Sequence, residues 1–326
     1  MFIAPAYKTK QIFFVLIKAS LIIGSFYFIF YKLTQNENLK FDVFVDFLLI
    51  NNVFSLKTVL FLMILSIFNW FLEIRKWQYL VSVVQNISYA DALKQSLTAL
   101  SASLITPNRI GDYAAKIMYF PKTLRKRILL LNLLANIAQM STTLIFGSIA
   151  LILFAINYEI PLTFTKISKL LLIVPLVVVI FSLLIRQKVF KIRGLSLEKI
   201  VDFVRSLPTH IHFKNMILSI LRYLIFSFQF YVLLILFGVE LTYFNAMIII
   251  STTYLLSSII PSVFIFDVVV KGSIALFLFN SVGVNELIIL STTTLMWIFN
   301  FVVPCVIGSS YIIAYKSHQP YILKRC

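Results

Sequence analysis

The sequence predicts an all-α polytopic membrane protein. It would have about six full spans plus two re-entrant helical hairpins arranged as an inverted repeat, or eight helical segments if the hairpins are counted as spans. Three observations predict this. The chain is 60% hydrophobic and only 13% charged, with a mean hydropathy of +0.97, whereas soluble domains carry roughly 25% charged residues. Its apolar segments alternate with basic loops. The chain also resembles itself when shifted: Tyr89 falls on Tyr243 (243 − 89 = 154).

Gln11–Tyr31 is the first span, and Lys18 within it can snorkel to the nearby surface. It is too long for a signal-peptide core. Lys57–Leu80 is the second span, closed by Glu73, Arg75, Lys76, Trp77 and Tyr79, a basic and aromatic mixture that marks an interface. Tyr89–Phe120 reads as the first hairpin: a moderately polar apolar arm to Ile105, a break at Pro107, then Asp112-x-x-x-Lys116 one helical turn apart. Ile128–Ile156 is the third span and Leu170–Ile185 the fourth. A short surface helix starts at Ser196, and Met216–Phe237 is the fifth span, with Arg222 and Gln229 inside it. Tyr243–Ile260, broken by Pro261, and Phe264–Phe279 with Asp267-x-x-x-Lys271 form the second hairpin. Leu287–Tyr315 is the last span and contains Asn300 and Pro304.

Residues 1–326 therefore read as one integral membrane domain, with repeat one at about 11–156 and repeat two at about 167–315. Residues 186–215 are a cytoplasmic basic loop and 316–326 a basic tail. That loop, at about 30 residues, is below the usual domain minimum of about 50. The net charge of +17 sits in loops rather than on one face. It signals orientation and attraction to anionic lipid rather than nucleic acid. With the N-terminus inside, Arg75, Lys76, Lys122–Arg127 and the 186–215 loop fall on the inner side; both termini are then cytoplasmic. Cys305 and Cys326 make no disulfide framework, and His210, His212 and His318 lie in polar segments without acidic or Cys neighbours.

Under the 154-residue shift, Ala92 falls on Ala246, Thr98 on Thr252, Ser103 on Ser257, Ile105 on Ile259 and Pro107 on Pro261. One residue further, Asp112 falls on Asp267 and Lys116 on Lys271. Three crossings per repeat invert the second copy, so the hairpins would come from opposite leaflets. Inverted repeats with broken helices place a transport site near the midplane. The candidate substrate-binding residues are Thr106, Pro107, Asn108, Arg109, Gly111, Asp112 and Lys116, and Pro261, Asp267 and Lys271 opposite. Helix N-termini at the breaks and the Arg109 fork suit a phosphate. Asn132, Asn136 and Gln139 form a polar stripe on one face of the third span; it either lines the path or bonds helices together. An ordinary surface loop with an exposed ion pair is the alternative for residues 101–121.

Leu104-Ile-Thr-Pro-Asn-Arg-Ile-Gly-Asp112 resembles the Thr-Pro-Gly-Arg-x-Gly-Glu motif of the transmembrane region of lysylphosphatidylglycerol synthases, a flippase-like membrane family. Ile260-Pro-Ser-Val-Phe-Ile-Phe-Asp267 is similar to that family's later Pro-(Gly-rich)-Glu motif. Asn108 stands for the usual Gly, Phe264-Ile-Phe266 for the Gly-rich turn, and both acids are Asp rather than Glu. No aminoacyltransferase region follows the last span. The resemblance thus implies lipid translocation in the bacterial inner membrane without aminoacyl transfer. The expected partners are anionic or phosphate-bearing lipids, with a possible homo-oligomer. No phosphate-binding Gly-Lys-Ser/Thr loop is present, so any drive is a gradient or none; the protein is expected to be a non-enzyme with no cofactor and no metal. Two other readings stand beside it: a membrane enzyme subunit handling polyprenyl-phosphate glycan carriers, with Asp112 and Asp267 on a divalent metal, and a non-catalytic envelope scaffold.

Overall fold

The structure, a computed structural model, describes residues 45–46, 49–50, 55–104, 106, 110–158, 191–192, 195–259 and 267–314. The spans expected at 11–31 and 170–185 and the 316–326 tail lie outside these residues. So do Pro107, Asn108, Arg109 and Pro261.

The described chain is helical apart from one antiparallel pair of two-residue strands, β1 (Lys191–Ile192) and β2 (Leu195–Ser196). Helix α1 (Leu56–Val81) starts where Ser55 Oγ accepts the Thr58 amide, and α2 (Tyr89–Ser103) where Ser88 Oγ accepts that of Asp91. Each side chain satisfies one of the amides that a helix start leaves unpaired. Then come α3 (Ile110–Met118), α4 (Arg125–Asn157), α5 (Leu197–Ser206) and α6 (Thr209–Leu236). The second half closes with α7 (Tyr243–Ile259), α8 (Asp267–Asn280), α9 (Glu286–Trp297), a π-helical turn at Ile298–Val302, and α10 (Val303–Ala314). Four segments are long and apolar enough to cross a membrane: α1, α4, α6 and the continuous Glu286–Ala314. The arms α2, α3, α7 and α8 hold 15, 9, 17 and 14 residues, about 22, 13, 25 and 21 Å at 1.5 Å per residue. None matches the ~30 Å hydrocarbon core.

Two boundaries depart from the sequence reading. Helix α6 begins at Thr209 rather than Met216, because Pro208 pre-sets the entering backbone and the helix continues past its apolar stretch into His210, His212 and Lys214. The basic loop is shorter by that amount. The last span is also not uniform. Pro304 cannot donate to the carbonyl four residues back, Asn300, and the π-helical turn immediately precedes it. The freed Asn300 oxygen accepts instead from Trp70 Nε1 at 2.9 Å.

Side-chain pairings give the helix directions. Gln229 Nε2 donates to the Leu62 carbonyl and to Ser66 Oγ, Arg222 meets Glu73, and Lys214 lies over the Tyr79 ring. Numbers rising on α1 while they fall on α6 make the two antiparallel. Helix α4 runs parallel to α6, since Asn215 donates to the Leu134 carbonyl and Phe146 stacks on Tyr223. The α1–α2 connection and the α6–α7 connection therefore lie at opposite ends of the bundle.

The arms dock crosswise: α2 packs on α10, and α7 packs on α4. At each crossing a glycine admits the arm. Against Gly308 lie the Leu97 carbonyl and Ser101 Oγ; against Gly147 lie the Ser251 carbonyl and the Leu255 side chain. Ser251 and Leu255 are Leu97 and Ser101 moved by 154 residues (97 + 154 = 251; 101 + 154 = 255). The buried apolar residues form two groups, one around each hairpin. One gathers Ile249, Leu233, Phe279 and Ile289; the other gathers Trp77, Leu97, Leu131 and Phe301.

Candidate functional site

The turn of the first hairpin is held by Thr106 and Gly111. Thr106 Oγ1 accepts the Gly111 amide at 2.7 Å and donates to the Ala102 carbonyl at 3.3 Å, tying the start of α3 to the end of α2. A Cβ on Gly111 would run into the Ala102 carbonyl and Thr106 Oγ1. Glycine is needed here for close approach rather than for an unusual backbone angle.

One turn into α3, Asp112 and Lys116 form the ion pair that their spacing predicts, Nζ to Oδ1 3.1 Å, with side chains 14% and 4% exposed. It is buried, not a surface pair. Asn132 of α4 bridges it: its Nδ2 donates to Asp112 Oδ2 at 2.7 Å and its Oδ1 accepts from Lys116 Nζ at 2.8 Å. Asn136 donates to Tyr113 Oη at 2.9 Å and, more weakly, to Asp112 Oδ2 at 3.4 Å. The third face of the Lys116 ammonium sits 4.3 Å from the centre of the Trp77 ring. Gln139 of the same stripe is placed differently: its Nε2 reaches the Ser219 carbonyl of α6 at 3.5 Å. It bonds helices together and takes no part in the Asp112 cluster.

Trp77 connects this pair to a second one that the sequence reading did not assemble. Glu73 Oε2 accepts from Lys76 Nζ at 2.8 Å and from Arg222 Nη1 at 2.9 Å, joining α1 to α6 where they cross. Lys116 is near enough to act on Glu73 electrostatically. The Arg222 guanidinium lies 5.8 Å from the Trp70 ring centre, and its buried Nε has no acceptor among the described residues. The Trp77 indole donates to Gln95 Oε1 of α2 at 2.8 Å. A polar knot adjoins it: Asn69 donates to Asn300 Oδ1, and Asn300 donates to Gln229 Oε1. Glu73 and Lys76 had looked like interface residues because they follow an apolar run. The usable signal was Arg222: an arginine within an apolar span calls for a counter-charge on another span.

In the second hairpin, Asp267 opens α8, but its side chain lies outside the described residues. Lys271 lies 5.4 Å from the Phe301 ring centre and 5.8 Å from that of Phe226. Each hairpin lysine thus rests near an aromatic ring of the long helix that precedes its hairpin, Trp77 or Phe226. Among the described residues, no group of three His, Cys, Asp or Glu is placed to hold a metal. His212 instead contacts the Val204 carbonyl at 3.0 Å.

The model of the lysylphosphatidylglycerol synthase transmembrane region matches residues 43–308. The chain belongs to this family. The match runs from before α1 into α10, so both hairpins and the whole ion network fall inside it. Family membership makes this a multi-pass helical membrane protein of lipid and envelope biology. No curated protein matches the chain.

Proposed function

We propose that this member of the lysylphosphatidylglycerol synthase transmembrane-region family translocates a phosphate-bearing lipid, or a lipid-linked headgroup, across the bacterial inner membrane. One observation carries the reading. Among the described residues, the buried network holds three cations (Lys76, Lys116, Arg222) and two carboxylates (Glu73, Asp112). That leaves one positive charge over, and Arg222 Nε without an acceptor. An excess cation inside an apolar bundle is costly unless an anion meets it, and a lipid phosphate is the anion a membrane supplies.

The packing supports an inverted repeat of two re-entrant hairpins. Arms shorter than the bilayer, hairpin bases at opposite ends of the bundle, and matched glycine crossings fit that arrangement. Orientation follows from charge: Arg75, Lys122, Arg125–Arg127 and Lys214 share one end, which is then cytoplasmic, as are both termini. In this reading Arg109 at the break contacts the phosphate. The pair Asp112–Lys116 holds the turn to α4 through Asn132, and Asp267 with Lys271 holds the opposite turn. Lys116 spends its donors on Asp112 and Asn132, so its role is positioning. Movement needs no cofactor and no covalent chemistry; it runs down a gradient or is coupled to one.

The test is translocation of a fluorescent phosphatidylglycerol in proteoliposomes, read by quenching of the outer leaflet. Wild type should move the lipid, and Arg109→Ala should slow it about tenfold or more, the loss of one charge-assisted phosphate contact. Equal rates in protein-free and protein-containing vesicles, or an Arg109→Ala rate equal to wild type, contradict the proposal.

A further inference from the structure

A groove of about 520 Å³ opens between the C-terminal end of α1 and the N-terminal end of α6, away from the hairpin turn. Its floor is apolar, with Phe71, Leu72 and Leu218; Arg75, Tyr79 and Lys214 line it as well. The two cations are held but not neutralised. Arg75 Nη1 donates to Gln78 Oε1 at 2.9 Å, which takes one of its five donors. Lys214 Nζ sits 4.0 Å from the centre of the Tyr79 ring. Among the described residues neither has a carboxylate within ion-pair distance. Tyr79 is fixed in turn by the edge of His210, and Gln78 by donation to the Ile87 carbonyl.

We infer that this groove is a binding site for one anionic phospholipid. The phosphate lies between Arg75 and Lys214, and an acyl chain runs over Phe71 and Leu218 toward the bilayer. Three features select that occupant. Two unneutralised cations line one small groove and suit a single phosphate. The apolar floor leads along the sides of two membrane-spanning helices, where a chain rather than a soluble anion belongs. The volume lies within the ~300–1,000 Å³ range of small-ligand sites, enough for a headgroup with the chains left in the bilayer. This goes beyond the translocation reading, because the groove shares no residue with the Asp112–Lys116 cluster and holds lipid whether or not the hairpins move it.

The test is native mass spectrometry of the full chain released from phosphatidylcholine vesicles that contain phosphatidylglycerol as a minor component. Wild type should retain one phosphatidylglycerol per chain in preference to phosphatidylcholine. Arg75→Ala/Lys214→Ala, two exposed positions whose loss leaves the fold intact, should weaken retention on the order of thirtyfold. Leu218→Trp, which fills the floor and leaves the charges, should also expel the lipid. Arg109→Ala should retain it. Retention by the double variant overturns the proposal. So does loss in the double variant with full retention in Leu218→Trp, which would mean diffuse attraction to a basic surface. Should wild type fail to translocate lipid yet show this retention pattern, the groove stands and the translocation reading falls.

Discussion

Removing the charge of Lys116 should destabilise the protein more than removing it together with its partner. Lys116→Met keeps the length and packing of the side chain on Trp77 but leaves the Asp112 carboxylate in a site only 14% exposed. Breaking one side of a buried ion pair costs roughly 3–5 kcal/mol. Asp112 keeps the Asn132 and Asn136 amides as donors, so the lower end, about 3 kcal/mol, is expected. Asp112→Asn alone strands the ammonium, which is almost fully buried, and should cost about the same. The double variant Asp112→Asn/Lys116→Met buries no net charge there and should fall within about 1 kcal/mol of wild type. The cycle therefore predicts a coupling energy of several kcal/mol. Reversible denaturation in detergent micelles, followed by Trp fluorescence, measures it. If Lys116→Met is as stable as wild type, or the double variant is no better than either single one, the pair is not the buried, mutually dependent unit described above.

Two further outcomes follow from the packing. Glu73→Gln leaves Lys76 and Arg222 without a carboxylate and should cost roughly 3–5 kcal/mol, with part of it recovered in Glu73→Gln/Lys76→Met, which removes the more deeply buried of the two stranded cations; the same denaturation assay reads both. Gly308→Ala should destabilise by roughly 1–3 kcal/mol and more than Gly147→Ala. At Gly308 the new methyl overlaps the Leu97 carbonyl and Ser101 Oγ deeply, whereas at Gly147 the overlap with Leu255 Cβ is shallower and the Ser251 carbonyl is 3.1 Å away. The reverse order would count against the crosswise docking of the arms.

Much of this fold is written locally. Serines 55 and 88 and Asn285 stand immediately before their helices and accept an early amide, so three helix starts are visible in sequence. The Asp112–Lys116 pair is visible because both members lie on one face of one helix. What sequence does not disclose is which side chains meet across long separations. Glu73 and Arg222 are 149 positions apart, and nothing local distinguishes Glu73 from a residue at a membrane interface. The stripe Asn132, Asn136, Gln139 shows the same limit. The period places all three on one side of α4, yet that side faces α3 at its start and α6 a turn later, so the first two join Asp112 and the third does not. The repeat was legible as a 154-residue shift. Its mechanical content, the two glycines that admit each arm to the other half, was not, because Gly147 and Gly308 are 161 residues apart (308 − 147 = 161). The connecting loops break the common register.

The central claim is that the two hairpins come into the bundle from opposite faces of the bilayer around a charged interior. Single cysteines at Asn86, in the base of the first hairpin, and at Glu240, in the base of the second, test it most directly. They would be placed in a chain with Cys305 and Cys326 replaced and treated with a membrane-impermeant maleimide in sealed vesicles of known orientation. The account predicts that each cysteine is labelled from one face only and that the faces are opposite, with Asn86→Cys on the cytoplasmic side. Labelling of both from the same face would contradict it.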